Sequence, residues 1–357
     1  MEALEVDMNN DADGKRKTAM ISGITGQDGG YLAKFLLEKN YKVLGLYRRG
    51  ATDTFSKLRE HGILEQIELL DFDLLEFSNI CRLLRRHQPD EFYNLAAQSF
   101  VGASWEEPIY TAQADGMGVV YILEAIREFS PQTRFYQAST SEMFGKVQDI
   151  PQTENTPFYP RSPYGVAKLM GHWMCINYSE SFNVFACSGI LFNHESPMRG
   201  KEFVTRKITS HFAELYTGKT TESLELGNLN AKRDWGYAGD YVEMMWKMLQ
   251  HDVPDTYVIA TGETHSIREF VEEAGNHCGF ELRWEGSEEN EVGVDIKTGK
   301  TVVKVNPKFY RPAEVELLIG SPEKARKILN WDAKVDFKSL CKMMMLADLE
   351  RAKQGSL

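Results

Sequence analysis

Short apolar runs alternate with amphipathic stretches through the first half of the chain. Thr18–Ser22 reads as a buried strand, followed by a glycine-rich turn and a helix from about Gly29 to Lys39. Lys42–Tyr47 reads as a second strand and Gln66–Leu70 as a third, with a helix over Phe77–Arg86. Glu91–Asn94 is a fourth strand, followed by a long helix from about Ile109 to Glu128. Thr133–Ala138 and Val184–Leu191 supply a fifth and a sixth, with a helix carrying Tyr164 and Lys168 between them. Strands separated by helical periodicity imply βαβ units, hence an α/β fold with a Rossmann-type, doubly wound parallel sheet.

After Asn193 the elements become shorter. Phe203–Thr217, Gly239–Leu249 and Ser266–Cys278 read as helices, the last with Ser266 as N-cap and Ile267, Phe270, Val271 and Ala274 on one face. Leu224–Leu226 reads as a short strand, and Thr256–Ile259 as a strand returning to the main sheet. Residues 286–305 are polar and acidic and read as an exposed loop. The expected division is a nucleotide-binding domain over 18–192 with a returning segment near 235–262, and a smaller C-terminal substrate-binding domain over 193–350. Met343–Met345 and Trp331 read as packing residues.

With 357 residues the chain can bury a large core, and its net charge of −11 argues against nucleic acid or an anionic membrane as partner. A local cluster of Arg and Lys can still take an anionic substrate. The five cysteines form no Cys-x-x-Cys and read as reduced thiols of a cytoplasmic protein. The eight histidines show no metal-ligand spacing, so no metal is expected. Residues 1–17 lack an apolar signal core and read as a disordered tail, and no apolar run reaches membrane-span length.

Three segments carry chemistry. The first is Gly23-Ile24-Thr25-Gly26-Gln27-Asp28-Gly29, between the first strand and its helix. Its glycines let the backbone approach a pyrophosphate at the helix N-terminus, although a flexible turn would also use them. The second is Tyr47-Arg48-Arg49-Gly50, at the end of the second strand, where an acidic residue would select NAD. Two guanidinium groups suit a 2′-phosphate and favour NADP, the alternative being two solvated surface arginines. Asp73, and the small residues of Asn94-Leu95-Ala96-Ala97-Gln98-Ser99, stand where a cofactor would pass. The third segment joins Ala138-Ser-Thr140-Ser-Glu142 to Tyr164-Gly-Val-Ala-Lys168. A Tyr and a Lys four apart share one helix face, and the cation favours phenolate over phenol. By itself such a pair also describes two surface residues.

These segments, with Tyr136–Gly145, Pro157–Tyr164, Leu191–Pro197, Phe203–Ile208, Arg233-Asp-Trp-Gly236 and Phe309–Glu316, resemble the GDP-mannose 4,6-dehydratase family of the extended short-chain dehydrogenases/reductases over roughly residues 18–350. The resemblance implies a hydro-lyase that recycles NADP. Thr140 would hydrogen-bond the sugar 4-hydroxyl, and Tyr164 would take its proton as hydride leaves C4. Glu142 would then remove the C5 proton and help water leave C6, where the hydride returns. Lys168 would hold the nicotinamide ribose. Leu74, Tyr110, His194 and Arg199 would contact the cofactor. Ser99, Asn193, Val204, Lys207, Gly227, Arg233, Arg311 and Glu314 would hold the GDP-sugar, with Lys207, Arg233 and Arg311 neutralising its diphosphate. Members are typically homo-oligomers, dimers or tetramers, and Thr52–Arg59 resembles the loop that reaches a neighbour's cofactor in tetramers.

Three readings compete. A nucleotide-sugar 4-epimerase or 4-keto reductase keeps the fold but needs no base at C5, so Glu142 discriminates. A dTDP-glucose dehydratase would carry Asp-Glu after the Thr, where this chain has Ser141-Glu142. A non-catalytic NADP-binding protein on the same scaffold would tolerate loss of Tyr164 or Glu142.

Overall fold

The computed structural model describes residues 16–310, 315 and 317–357. The tail expected over 1–17 therefore lies largely outside the described residues. Its last two residues are tied down, however: the Arg16 guanidinium donates to the carbonyls of Asn40 and Tyr41, and the Lys17 carbonyl accepts from Lys42 N at 2.9 Å.

β1 (Thr18–Ser22), α1 (Gln27–Glu38) and β2 (Lys42–Tyr47) open the fold. After the short helix α2 (Ser56–Glu60) come β3 (Glu68–Asp71), α3 (Phe77–His87) and β4 (Glu91–Asn94). The third strand starts two residues later than expected, because Leu64–Gln66 forms a 3₁₀ turn. Two one-turn helices, α4 (Ala103–Glu106) and α5 (Pro108–Thr111), lead through a π-helical stretch, Ala112–Met117, into α6 (Gly118–Phe129). The expected single helix is thus continuous in path but interrupted in hydrogen bonding. β5 (Arg134–Thr140), α7 (Pro163–Phe182) and β6 (Ala186–Leu191) follow. β5 runs two residues past the expected end, since buried Ser139 and Thr140 extend it without adding hydrophobicity.

Beyond β6 lie β7 (Asn193–Glu195), α8 (Val204–Tyr216), β8 (Leu224–Leu226), β9 (Lys232–Arg233) and β10 (Trp235–Tyr237). α9 (Ala238–Gln250), β11 (Thr256–Ile259), β12 (His265–Ser266) and α10 (Ile267–His277) continue the chain. Ser266 caps α10 in a full capping box with Glu269, and the expected apolar face of α10 is buried.

The main sheet has seven strands in the order β11-β6-β5-β4-β1-β2-β3. The pairs from β3 through β2, β1 and β4 to β5 are parallel. Ala19–Ser22 are all buried, as central strands of a helix-covered parallel sheet require. The expected return of Thr256–Ile259 to this sheet is what β11 does.

The segment expected to be a loop over 286–305 instead holds two strands. β13 (Leu282–Glu285), β14 (Val292–Asp295) and β15 (Thr301–Val305) form a second sheet with β8, in the order β13-β14-β15-β8. Asp295 closes the β14–β15 hairpin by accepting from Thr298 N at 3.2 Å and Thr298 Oγ1 at 2.6 Å, and Gly299 takes φ 69°. The ladder shifts register between Gly293 and Val294, which breaks the alternation that marks a strand. α11 (Glu323–Leu329) and α12 (Phe337–Gln354) complete the chain. Met344, Met345 and Trp331 are buried as expected.

Two compact units result. One takes the described residues to Thr140, Pro163–Ile190 and Val242–Tyr257; the other takes Ser141–Ser162, Leu191–Tyr241 and the described residues from Val258. Each has its own apolar cluster, one around Met20, Phe92 and Ile122, the other around Phe212, Trp235 and Phe270.

Candidate active site

The glycine turn is held by direct backbone contact. A Cβ on Gly29 would lie 2.4 Å from Gly23 O, and one on Gly23 would lie 2.9 Å from Ala96 N and from Leu95 C. Gly23 also takes φ 71°, so glycine is required there on two counts. The N-cap of α1, Gly26, offers no side chain to the first amides of the helix. A narrow glycine cradle before an uncapped helix N-terminus fits a dinucleotide pyrophosphate. Ile24 is fully buried, so only its backbone faces the turn. The Thr25 carbonyl accepts from Lys57 Nζ at 3.3 Å, and Gln27 Nε2 donates to Asp28 Oδ1 at 2.9 Å.

Below this turn a buried chain of side chains fixes the strand ends. Ser22 Oγ donates to Asn94 Oδ1 at 2.6 Å and accepts from Leu95 N and Ala96 N at 3.1 and 3.2 Å. Asn94 Nδ2 donates to Gln137 Oε1 at 2.7 Å. Ala97 is half-buried and Ser99 exposed. Gln98 N donates to Asp115 Oδ1 at 2.7 Å.

Arg48 and Arg49 are exposed after β2, and Arg48 Nη1 donates to Tyr110 Oη at 2.8 Å, which joins two of the predicted cofactor residues. Asp73 turns its carboxylate into its own loop, accepting from Leu75 N at 2.9 Å. Leu74 packs in the apolar cluster of its unit.

Thr140 is the last residue of β5, and Glu142 lies in the 3₁₀ turn Ser141–Met143 that follows. Tyr164 and Lys168 sit in the first turns of α7 and are 8% and 3% exposed, which removes the surface-pair alternative. The Lys168 Nζ lies 6.0 Å from the Tyr164 ring centre. Burial lowers the Lys168 pKa from its ordinary value, and Asp115 opposes that. Behind Thr140, Ser139 Oγ bonds Ser188 Oγ at 2.9 Å, and Ser188 Oγ bonds His172 Nδ1 at 2.8 Å. Burial pushes His172 down to about 4, which keeps it neutral.

Of the predicted sugar-nucleotide residues, Asn193, Val204, Lys207, Gly227 and Arg233 lie on the other unit, as do the predicted cofactor residues His194 and Arg199. Asn193 opens β7, and His194 Nδ1 bonds Phe192 O at 2.8 Å while its ring stacks on Tyr241. Arg199 Nε pairs with buried Glu195 at 3.0 Å, and its guanidinium lies 3.6 Å over the Phe203 ring. Val204 opens α8. Lys207 Nζ lies 3.7 Å over the Phe309 ring, and a Cβ on Gly227 would meet Phe309 O at 2.7 Å. Lys207, Gly227 and Phe309 are therefore brought together. Desolvation lowers the Lys207 pKa, with Glu225 opposing. Arg233 is buried in β9, and Nη1 reaches the Lys232 carbonyl at 2.9 Å. Arg311 and Glu314 lie outside the described residues.

Three residues escaped the sequence reading. Phe309 carried a signal, being the first residue of a quoted motif. Asp234, beside Arg233, accepts from Thr261 N, Thr261 Oγ1, Gly262 N and Gly320 N, and so fixes the loops next to that arginine. Asp115 is the one carboxylate of the stretch Ala112–Met117. Among the described residues no cluster of His, Cys, Asp and Glu could hold a metal ion, and no helix is long and apolar enough to cross a membrane.

Solved structures with this fold include a dTDP-glucose 4,6-dehydratase from Streptomyces venezuelae with NAD bound, at TM-score 0.80 and 18% identity, covering 94% of this chain and 98% of that one. A UDP-glucose 4-epimerase from Thermotoga maritima matches at TM-score 0.77 and 19% identity, covering 94% and 99%. The fold is thus the one shared with these two solved structures. Within it, the family model described as GDP-mannose 4,6 dehydratase matches residues 20–344. The GDP-mannose 4,6 dehydratases of Drosophila melanogaster and Homo sapiens are each 50% identical to it, over 97% and 94% of this chain and 90% and 92% of theirs. The chain belongs to the GDP-mannose 4,6-dehydratase family.

Proposed function

We propose that the chain converts GDP-mannose to GDP-4-dehydro-6-deoxy-mannose and water, using NADP that is regenerated within each turnover. The observation that carries the reading is the succession Thr140 at the end of β5, Glu142 in the next turn, and Tyr164 and Lys168 buried one helical turn apart on α7. When bound, the nicotinamide supplies a hydride acceptor for C4 and a hydride donor for C6.

Thr140 hydrogen-bonds the 4-hydroxyl and Tyr164 takes its proton, with the Lys168 ammonium favouring the phenolate. The 4-ketone acidifies the C5 proton, which Glu142 removes, and the acid so formed protonates the departing C6 hydroxyl; as C6 regains a hydride, C5 takes back the proton held by Tyr164, which resets the phenolate. Gly23, Gly26 and Gly29 would hold the pyrophosphate, and Arg48 and Arg49 the 2′-phosphate. Lys207, Arg233 and Arg311 would neutralise the GDP diphosphate. The region 18–192 with 235–262 would hold NADP, and 193–350 mainly the GDP-sugar. Burial of four of the five free thiols supports a reducing, cytoplasmic setting. A homo-oligomer, dimer or tetramer, completes the reading. A 4-epimerase would leave Glu142 without a task.

Incubation with GDP-mannose is expected to give a product lighter by one water, without added reductant. Glu142→Gln is expected to abolish water loss while cofactor stays bound. Dehydration retained by that variant would remove Glu142 from the mechanism.

A further inference from the structure

We propose that Asp115 is a positioning residue that holds Lys168 in its charged form, a role that rests on the dehydratase reading of Tyr164 and Lys168. Asp115 lies in the π-helical stretch between α5 and α6, and such stretches recur at functional sites. Two glycines press this stretch against α7. A Cβ on Gly116 would lie 2.9 Å from Met170 Sδ and 3.4 Å from Ala167 O, and one on Gly171 would lie 3.1 Å from Asp115 O. The two backbones therefore meet within one turn of Lys168, at Ala167, Met170 and Gly171.

Asp115 is 2% exposed. Its Oδ1 accepts from Gln98 N at 2.7 Å, but its Oδ2 is buried without a hydrogen-bond partner. Other buried carboxylates of this chain are filled: Asp234 has four donors, and Asp348 accepts from Arg206, Thr209 and Arg351. A buried carboxylate oxygen left open costs stability and has no packing purpose. Its remaining partner is electrostatic, because Asp115 and Lys168 attract one another.

The groups acting on Lys168 are few. Asp115 faces it from the π stretch, and Cys175 acts from α7, its thiol kept neutral by burial. His172, one turn along α7, is neutral, and the Tyr164 ring centre is 6.0 Å away. Burial pushes the Lys168 ammonium toward losing its proton, and Asp115 pushes the other way. Burial also raises Asp115 itself to about 6, with Lys168 and the Gln98 amide opposing, so the carboxylate is ionised above that pH. Removing an anion beside a cation lowers the pKa of the cation.

Asp115→Asn keeps an oxygen for Gln98 N and removes only the charge. In protein carrying ¹³Cε-lysine, with Lys168→Met to assign the signal, the Lys168 titration is expected to move down by about one pH unit or more in Asp115→Asn. The alkaline limb of kcat for GDP-mannose should move by the same amount, with KM at the optimum little changed. Reciprocity gives a second measurement that needs no Asp115 variant: in Lys168→Met, the Asp115 carboxyl, read by ¹³Cγ-aspartate, should titrate above about 6. An unmoved Lys168 titration in folded Asp115→Asn, an unmoved Asp115 titration in Lys168→Met, or activity lost with no movement of the alkaline limb would each overturn the proposal. If the wild-type chain leaves GDP-mannose untouched, the dehydratase reading fails, while the two titrations still decide what Asp115 does.

Discussion

Arg48 and Arg49 stand exposed after β2, where the cofactor ribose would lie, and Arg48 is braced by Tyr110 Oη at 2.8 Å. A hydrogen bond to a charged group contributes about 1.5–3 kcal/mol, roughly ten- to a hundredfold in Kd. Arg48→Ser with Arg49→Ser is therefore expected to weaken NADP binding by that factor and leave NAD binding little changed, as isothermal titration would measure. Equal weakening of both cofactors would place the arginines elsewhere. The place of the arginine pair directly after a strand could be read from sequence. Asp115 could not: its significance comes from a second helix packed against it, and from one oxygen that burial leaves open. Asp73 stood at a similar strand end, yet its carboxylate turns into its own loop at Leu75 N, a choice of rotamer that no spacing encodes.

At the scale of elements, α8 and α12 are joined by a buried clip. Arg206 Nε meets Asp348 Oδ2 at 2.7 Å, with side chains 8% and 0% exposed. The same guanidinium donates from Nη1 to the carbonyls of Pro197 and Arg199 at 2.7 and 2.9 Å, which fixes the loop that carries Arg199. Removing one partner leaves a buried charge uncompensated. Asp348→Ala is expected to lower stability by about 3–5 kcal/mol, as measured by denaturant unfolding. A loss below about 1 kcal/mol, the range of exposed pairs, would show the clip to be solvated. β1, β2 and β4 were legible to the residue, because a central parallel strand is a continuous apolar run bounded by turn residues. The β14–β15 hairpin was not, because its shift at Gly293 and Val294 disrupts period two. The end of β5 was missed for another reason: its last buried residues are Ser139 and Thr140, which hydropathy reads as loop.

For the whole molecule, the proposed reaction makes one demand: Thr140, Glu142, Tyr164 and Lys168 must serve a chemistry with no net redox change. Family membership, established across residues 20–344, and the seven-stranded sheet are independent of that demand. The local pattern announced the sheet because each βα unit is written in consecutive residues. The most direct test follows the hydride. GDP-mannose deuterated at C4, incubated with this protein and NADP in ordinary water, is expected to give a product one water lighter that keeps the deuterium, now at C6. Loss of the deuterium from the product, or its accumulation on free reduced cofactor, would contradict an internal hydride return.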